Sequence, residues 1–122
     1  QYMNKLIVMC LLLPAIYASG QKKPFYQMKN EIIEKAIAEL DSVSSVPGSA
    51  FLKEINESKL SGTYVFDITL REKGEVATVF VVNDGESPIA MQNRLKDIVK
   101  RYRFGFRVPK GKSYKFQYTF KF

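Results

Sequence analysis

Residues 63–82 read TYVFDITLREKGEVATVFVV and contain the strongest structural signal in the chain. Apolar and polar side chains alternate from Thr63 to Leu70, which predicts a strand with one buried face. The connection that follows ends at Gly74, and glycine can adopt the left-handed conformation of a bulged hairpin. Residues 76–82 are rich in β-branched side chains, which predicts the returning strand. The stretch therefore predicts a β-hairpin.

The segment before the hairpin predicts two helices. Apolar residues recur every three or four positions in residues 25–40, as in an amphipathic helix, and Pro24 suits its first turn. The turn-forming residues 41–49 end this helix. Residues 50–55 predict a short second helix, and we expect both helices to pack on a sheet.

The segment after the hairpin predicts a helix and a strand. Ser87 is a typical N-cap, Pro88 suits the first helical position, and Gly105 and Pro109 mark the end of the helix. The apolar face of this helix consists of Met91, Leu95, Ile98, Val99 and Tyr102. Residues 113–122 alternate aromatic and polar side chains more regularly than any other stretch, which predicts a final strand.

The order helix, short helix, β-hairpin, helix, β-strand predicts an α+β fold. We expect the helices to pack on the apolar face of a mixed three-stranded sheet. Residues 21–61 would form an N-terminal helical segment, and residues 62–122 would form a ββαβ domain.

The first twenty residues predict a secretory signal peptide. Lys5 precedes an apolar run over residues 6–18, and small residues follow it. Translation would start at Met3. The run is shorter than the roughly 20 residues that a membrane-spanning helix needs, which favours cleavage, after Gly20 or Ala18, over anchoring. We therefore expect a periplasmic or secreted protein whose mature chain does not insert into a membrane.

The composition argues against catalysis and against metal or cofactor binding. The chain has no histidine, and its single cysteine, Cys10, lies within the predicted signal. The commonest general base, the thiol nucleophile and the usual structural zinc ligands are therefore missing from the mature chain. Asp67 and Ser113 are the remaining candidates for enzymatic roles, but neither has a supporting constellation. We expect a protein that is not an enzyme and has no cofactor.

Positive charge is concentrated towards the C-terminus. Residues 21–86 contain eight basic and eleven acidic side chains, whereas residues 87–122 contain ten basic and one acidic. Such a field favours an acidic partner or an anionic surface. The lysines also keep a small domain soluble and discourage edge-to-edge association of the last strand. Nucleic-acid binding is not expected, because the aromatic residues of the last strand share the face that the core needs.

Three features resemble the TonB C-terminal domain family. They are the hairpin of residues 62–82, the basic and aromatic helix end of residues 99–104, and the aromatic final strand. The resemblance covers residues 62–122. It implies a periplasmic domain that binds a short extended peptide of an outer-membrane transporter by strand addition and passes on force from an inner-membrane motor.

Two departures from that family change the expected role. The chain shows neither a spanning helix nor a proline-rich spacer, so we do not expect it to link two membranes by itself. The Tyr-Pro pair that the family often carries before its first strand is missing from residues 56–61. The resemblance therefore implies a free-standing relative with another partner.

These observations predict an exported, non-catalytic binding protein that recognises a segment of an envelope protein, such as an outer-membrane transporter or its partner, by edge-strand addition. The basic residues at the helix end would steer an acidic segment to that edge. The predicted partner-binding residues are Lys115, Gln117, Thr119, Lys121, Lys100, Arg101 and Arg103. The alternative is a structural envelope component that self-associates as a homodimer through its C-terminal strand. A weaker alternative is a small-molecule or glycan binder with a concave pocket.

Overall fold

A computed structural model describes residues 23–83 and 87–122 of the chain. The predicted signal peptide, residues 1–20, lies outside the described residues, and so does Cys10. The elements in chain order are α1 (Lys29–Ser45), α2 (Ala50–Glu57), β1 (Thr63–Arg71), β2 (Glu75–Asn83), α3 (Ile89–Arg101) and β3 (Ser113–Lys121). The predicted α+β class and the predicted order of elements are confirmed. Within the described residues, no helix combines the length and the apolar character that crossing a bilayer requires.

The three strands form one antiparallel sheet in the order β2-β1-β3. The predicted mixed sheet is therefore wrong. Helix α3 returns the chain to the end of the sheet where β2 began, so β3 runs in the same direction as β2. Because β3 pairs with β1 rather than with β2, every neighbouring pair is antiparallel.

The helices pack on one face of the sheet around a single hydrophobic core. Helix α1 contacts β3, α3 contacts β2, and α2 contacts both of these helices. The largest fully buried side chains are Tyr64, Phe66, Phe104, Phe120, Ile32, Leu40, Ile55, Ile68, Leu70, Leu95 and Val99. Full burial of one such apolar side chain contributes about 1.5–3 kcal/mol. Residues from both predicted parts of the chain, 21–61 and 62–122, thus share one core.

Helix α1 begins and ends later than the sequence pattern predicts. The backbone of Phe25 forms a bridge with Arg107, and the amide of Tyr26 donates to the Arg107 carbonyl over 3.0 Å. These contacts hold the segment extended, and the helix begins only at Lys29. The turn-forming serines stay helical as far as Ser45. The helix stops at Val46, because a residue before proline disfavours the helical conformation.

Helix α3 also begins later than predicted. Pro88, rather than Ser87, occupies the N-cap position, and the first helical residue is Ile89. The Ser87 hydroxyl instead donates to the Thr63 carbonyl over 3.1 Å. It therefore ties the start of α3 to the start of β1 and does not cap the helix.

The loop after α3, residues 102–112, is held between the hairpin turn and the N-terminal segment. The amide of Phe104 donates to the Gly74 carbonyl over 2.8 Å, and the amide of Val108 donates to the Glu72 carbonyl over 2.7 Å. On the other side, the amide of Arg107 donates to the Pro24 carbonyl over 2.7 Å. The loop thereby acquires strand-like pairing on both sides.

Candidate binding edge

Strand β3 forms one edge of the sheet and presents backbone groups away from it. All nine of its residues pair with β1 without a register shift. Gly62 and Phe122 exchange two hydrogen bonds, of 3.0 and 3.3 Å. Since hydrogen-bonded and non-hydrogen-bonded pairs alternate in an antiparallel ladder, the even-numbered residues of β3 bond to β1. The outward amides and carbonyls therefore belong to Ser113, Lys115, Gln117, Thr119 and Lys121.

The side chains of β3 divide in the same way. Tyr114, Phe116 and Phe120 are buried beneath the helices. The four predicted partner-binding residues of the strand, Lys115, Gln117, Thr119 and Lys121, are all exposed. A chain segment beside β3 would therefore meet backbone groups that have no partner within residues 23–83 and 87–122, and solvent-accessible polar side chains at the same residues.

The opposite edge, β2, is irregular. Its pairing with β1 shifts register twice, opposite Val65/Phe66 and opposite Thr69/Leu70. At the first residue of β2, the backbone of Glu75 forms an isolated bridge with Arg103. Bulges and a covering segment are features that discourage pairing at a sheet edge. Edge β2 is thus a poor template for an added strand, whereas β3 is a good one.

Helix α1 holds β3 in place through side chains. The Tyr118 hydroxyl donates to Asp41 of α1, and the rings of Tyr118 and Phe120 meet edge to face at 4.7 Å between centroids. Burial, followed by this hydrogen bond to Asp41, raises the pKa of Tyr118. Phe120 also stacks on Phe51 of α2 at 6.0 Å. Contacts with α1 and α2 therefore hold the candidate edge in position without a bound partner.

A second carboxylate of α1 holds the loop after α3. Glu39 accepts hydrogen bonds from the Tyr102 hydroxyl and from the Gly105 amide, the latter over 3.0 Å. Burial, then Glu39 itself, raises the pKa of Tyr102. Sequence reasoning missed the roles of Glu39 and Asp41. The available signal was that both are acidic residues next to Leu40, which lies on the buried face of the helix.

The three basic residues predicted to act with β3 lie elsewhere. Lys100 and Arg101 end α3, which packs on β2, and Arg103 pairs with Glu75 of β2. Arg101 forms an ion pair with Glu54 of α2. The structure therefore brings Lys115, Gln117, Thr119 and Lys121 together on β3, whereas Lys100, Arg101 and Arg103 belong to the end of α3 and to the loop that follows it.

The residues considered for catalysis remain apart from one another. Asp67 is partly buried in the middle of β1, opposite Gln117 of β3 and Phe80 of β2, and Ser113 begins β3. Across residues 23–83 and 87–122, histidine, cysteine and acidic side chains form no group of three that could hold a metal ion.

Comparison of the chain with models of protein families, with curated proteins and with solved structures finds no match.

Proposed function

We propose that the chain is an exported, non-catalytic binding protein that adds an extended segment of an envelope protein as a fourth strand beside β3. The observation that carries the proposal is the contrast between the two sheet edges. Strand β3 is nine residues long and pairs with β1 without a break, whereas β2 is bulged twice and bridged by Arg103. A regular edge supplies backbone hydrogen bonds to any extended peptide, and alternate side chains supply the choice of sequence.

The side chains beside this edge favour a partner segment of particular chemistry. Lys115 and Lys121 are exposed near the two ends of the strand, and the uncharged Gln117 and Thr119 lie between them. Acidic residues about six positions apart in the partner would lie opposite the two lysines. Such exposed charges act mainly on encounter rate and register, and contribute less than about 1 kcal/mol each to affinity.

The resemblance of residues 62–122 to the TonB C-terminal domain agrees with this proposal, because that family binds its partner by strand addition. The proposal gives no contact role to Lys100, Arg101 and Arg103. The edges of a three-stranded sheet are about 10 Å apart, which is comparable with the screening length at physiological salt. Reversing these three charges should therefore slow association less than reversing Lys115 and Lys121, which lie on the edge itself.

Photocrosslinking from the edge tests the proposal. A photoreactive residue at Gln117 should capture an envelope protein from intact cells, whereas the same residue at Asn93, exposed on α3, should capture none. Thr119→Pro is the matched backbone variant. Its amide points away from β1, so proline should leave the sheet intact and abolish capture. Undiminished capture by a folded Thr119→Pro protein would exclude strand addition.

Self-association through β3 is the second candidate function, and the charge pattern permits it. In an antiparallel pair of β3 strands centred on Gln117, Lys115 would face Thr119 of the other copy, and Lys121 would face Ser113. No two lysines would lie opposite each other, so like-charge repulsion would not oppose pairing. Capture of the chain's own copies alone at Gln117, together with a concentration-dependent molecular mass, would favour this function over partner binding.

A further inference from the structure

One end of the domain gathers positive charge from three separate stretches of the chain. At this end the hairpin turn, the loop of residues 102–112 and the N-terminal segment are joined by backbone hydrogen bonds. We call it the basic end. It contains two acidic side chains, Glu72 and Glu75, and seven basic ones: Lys23, Arg71, Lys73, Arg103, Arg107, Lys110 and Lys112.

Two adjoining depressions shape the basic end. The first, of about 230 Å³, is lined by Phe25, Glu72, Lys73, Arg107, Val108 and Lys110. The second, of about 260 Å³, is lined by Arg71, Glu72, Gly111, Lys112 and Ser113. Glu72 belongs to both, so the depressions are neighbours. They place five basic side chains around a single carboxylate.

Several groups of the basic end are fixed by the fold. The Arg107 Nε donates to the Lys23 carbonyl over 3.3 Å, and its guanidinium carbon lies 5.4 Å from the centre of the Phe25 ring. The Lys23 ammonium donates to the carbonyls of Lys73 and Phe104. In the part of the chain that the structure describes, the one ion pair joins Arg101 to Glu54, outside the basic end. The basic end therefore keeps its excess positive charge.

An exposed aromatic ring accompanies this charge. Phe25 is 45% exposed and lies against Arg107 at the rim of the first depression. Basic side chains beside an exposed aromatic ring are typical of surfaces that bind anionic lipid headgroups from the membrane face. An acidic protein surface is the other partner that this charge would attract, and the binding experiments below distinguish the two.

The path of the chain gives a second argument for a membrane. The apolar run of residues 6–18 ends five residues before Lys23, which is held at the basic end. Five residues span at most about 18 Å. A bilayer that held this run beside the folded, uncleaved chain would therefore lie nearest to the basic end.

We propose that the basic end docks peripherally on an anionic lipid surface, with its lysines and arginines against the headgroups and the Phe25 ring at their level. Strand β3 begins at this end with Ser113 and runs away from it. In the docked protein, β3 would therefore extend away from the membrane surface, and its outward backbone groups would stay accessible. The proposal is independent of strand addition, because none of its residues belongs to the predicted partner-binding part of β3.

Vesicle sedimentation tests the proposal. The protein is purified from cells that express the full sequence and is mixed with vesicles of phosphatidylcholine alone or with about a third phosphatidylglycerol. We expect much stronger binding to the anionic vesicles, and release in about 1 M salt, where charges are screened beyond about 3 Å. The phosphatidylcholine vesicles report any binding by the apolar run, which does not depend on headgroup charge.

Matched charge variants locate the binding surface. The side chains of Lys73, Lys110 and Lys112 are exposed and donate no hydrogen bond within the described residues, so their joint replacement by glutamine should leave the fold intact. At roughly a fivefold loss for each of the three removed charges, binding should weaken about 100-fold. The control replaces three lysines outside the basic end with glutamine, namely Lys53, Lys59 and Lys96, and should change binding only slightly.

Two results would overturn the proposal. Equal weakening in both triple variants would show that net charge alone is responsible, without a docking surface. Binding to polyglutamate in the absence of binding to anionic vesicles would assign the basic end to an acidic protein partner instead of a membrane. Neither result would bear on crosslinking from Gln117, so the two proposals fail separately.

Discussion

Replacing Gly74 by alanine should destabilise the protein far more than replacing another glycine with a similar φ angle. Gly74 has φ of +84°, and a methyl group added there would clash with the carbonyl oxygen of Phe104 and lie 2.9 Å from that of Phe106. Gly111 has φ of +76°, and a methyl group added there would meet no atom within 4 Å. Comparing Gly74→Ala with Gly111→Ala therefore distinguishes the cost of a steric clash from the cost of the strained φ alone.

The expected magnitudes follow from this geometry. Both substitutions force an L-residue into the left-handed region, which costs about 1–2 kcal/mol. Only Gly74→Ala also pushes the loop away from the turn. It would weaken the 2.8 Å hydrogen bond from the Phe104 amide, worth about 1 kcal/mol, and shift the buried rings of Phe104 and Phe106, which costs about 1–3 kcal/mol. The unfolding free energy should therefore fall by about 3–6 kcal/mol, against about 1–2 for Gly111→Ala.

Urea unfolding followed by far-ultraviolet circular dichroism measures both variants. In thermal unfolding, the difference of about 2–4 kcal/mol should appear as a melting temperature at least about 8 °C lower for Gly74→Ala than for Gly111→Ala. Equal losses in the two variants would refute the reasoning, because they would mean that the loop after α3 does not press against the hairpin turn.

Three further predictions concern side-chain hydrogen bonds and can be checked by urea unfolding. Tyr102→Phe should lower the unfolding free energy by about 1 kcal/mol, and a double-mutant cycle with Glu39→Gln should show that the two losses are coupled. The pKa values of Tyr102 and Tyr118 are higher in the folded chain than in the unfolded one. The hydroxyl groups of these two tyrosines therefore stabilise the fold fully below a pH of about 10, and this contribution is lost as the pH rises further. The unfolding free energy should therefore fall above that pH, and it should fall less in a variant with phenylalanine at both positions. An identical pH dependence of the unfolding free energy in the two proteins would contradict this. Arg101→Gln should lower stability by less than about 1 kcal/mol, because its ion pair with Glu54 is solvent-exposed, and a larger loss would show that the pair is a structural anchor.

Strand residues were predictable where the pattern is local. The alternation in residues 63–70 and 113–122 assigned the buried and exposed faces of β1 and β3, because the side chains of a strand alternate whatever its neighbours are. The exposed residues of the candidate edge followed from the same rule. Which backbone groups of β3 point outwards did not follow from it, since that depends on the register with β1, shown by the pair Gly62 and Phe122.

The spatial grouping of the basic residues could not be predicted from the sequence. Their number and their position along the chain were evident, and they suggested one surface with the last strand. In the folded chain, Arg101 at the end of α3 forms an ion pair with Glu54 of α2, and the backbone of Arg103 in the next loop forms a bridge with Glu75 of β2. Charge along a sequence is one-dimensional, and only the packing of α3 on β2 decides which charges become neighbours.

The sequence by itself determined the α+β class, the order of the six elements and the faces of β1, β3 and α3, because each depends on periodicity within a few residues. Tertiary structure decided the antiparallel order of the sheet, the late start of α1 at Lys29 and the contacts of Glu39 with Tyr102 and Gly105. Each of these joins residues far apart in the chain. Each hydrogen-bonding group in these segments has several possible partners nearby in the sequence. The actual partner is selected only when the core brings the distant segments together.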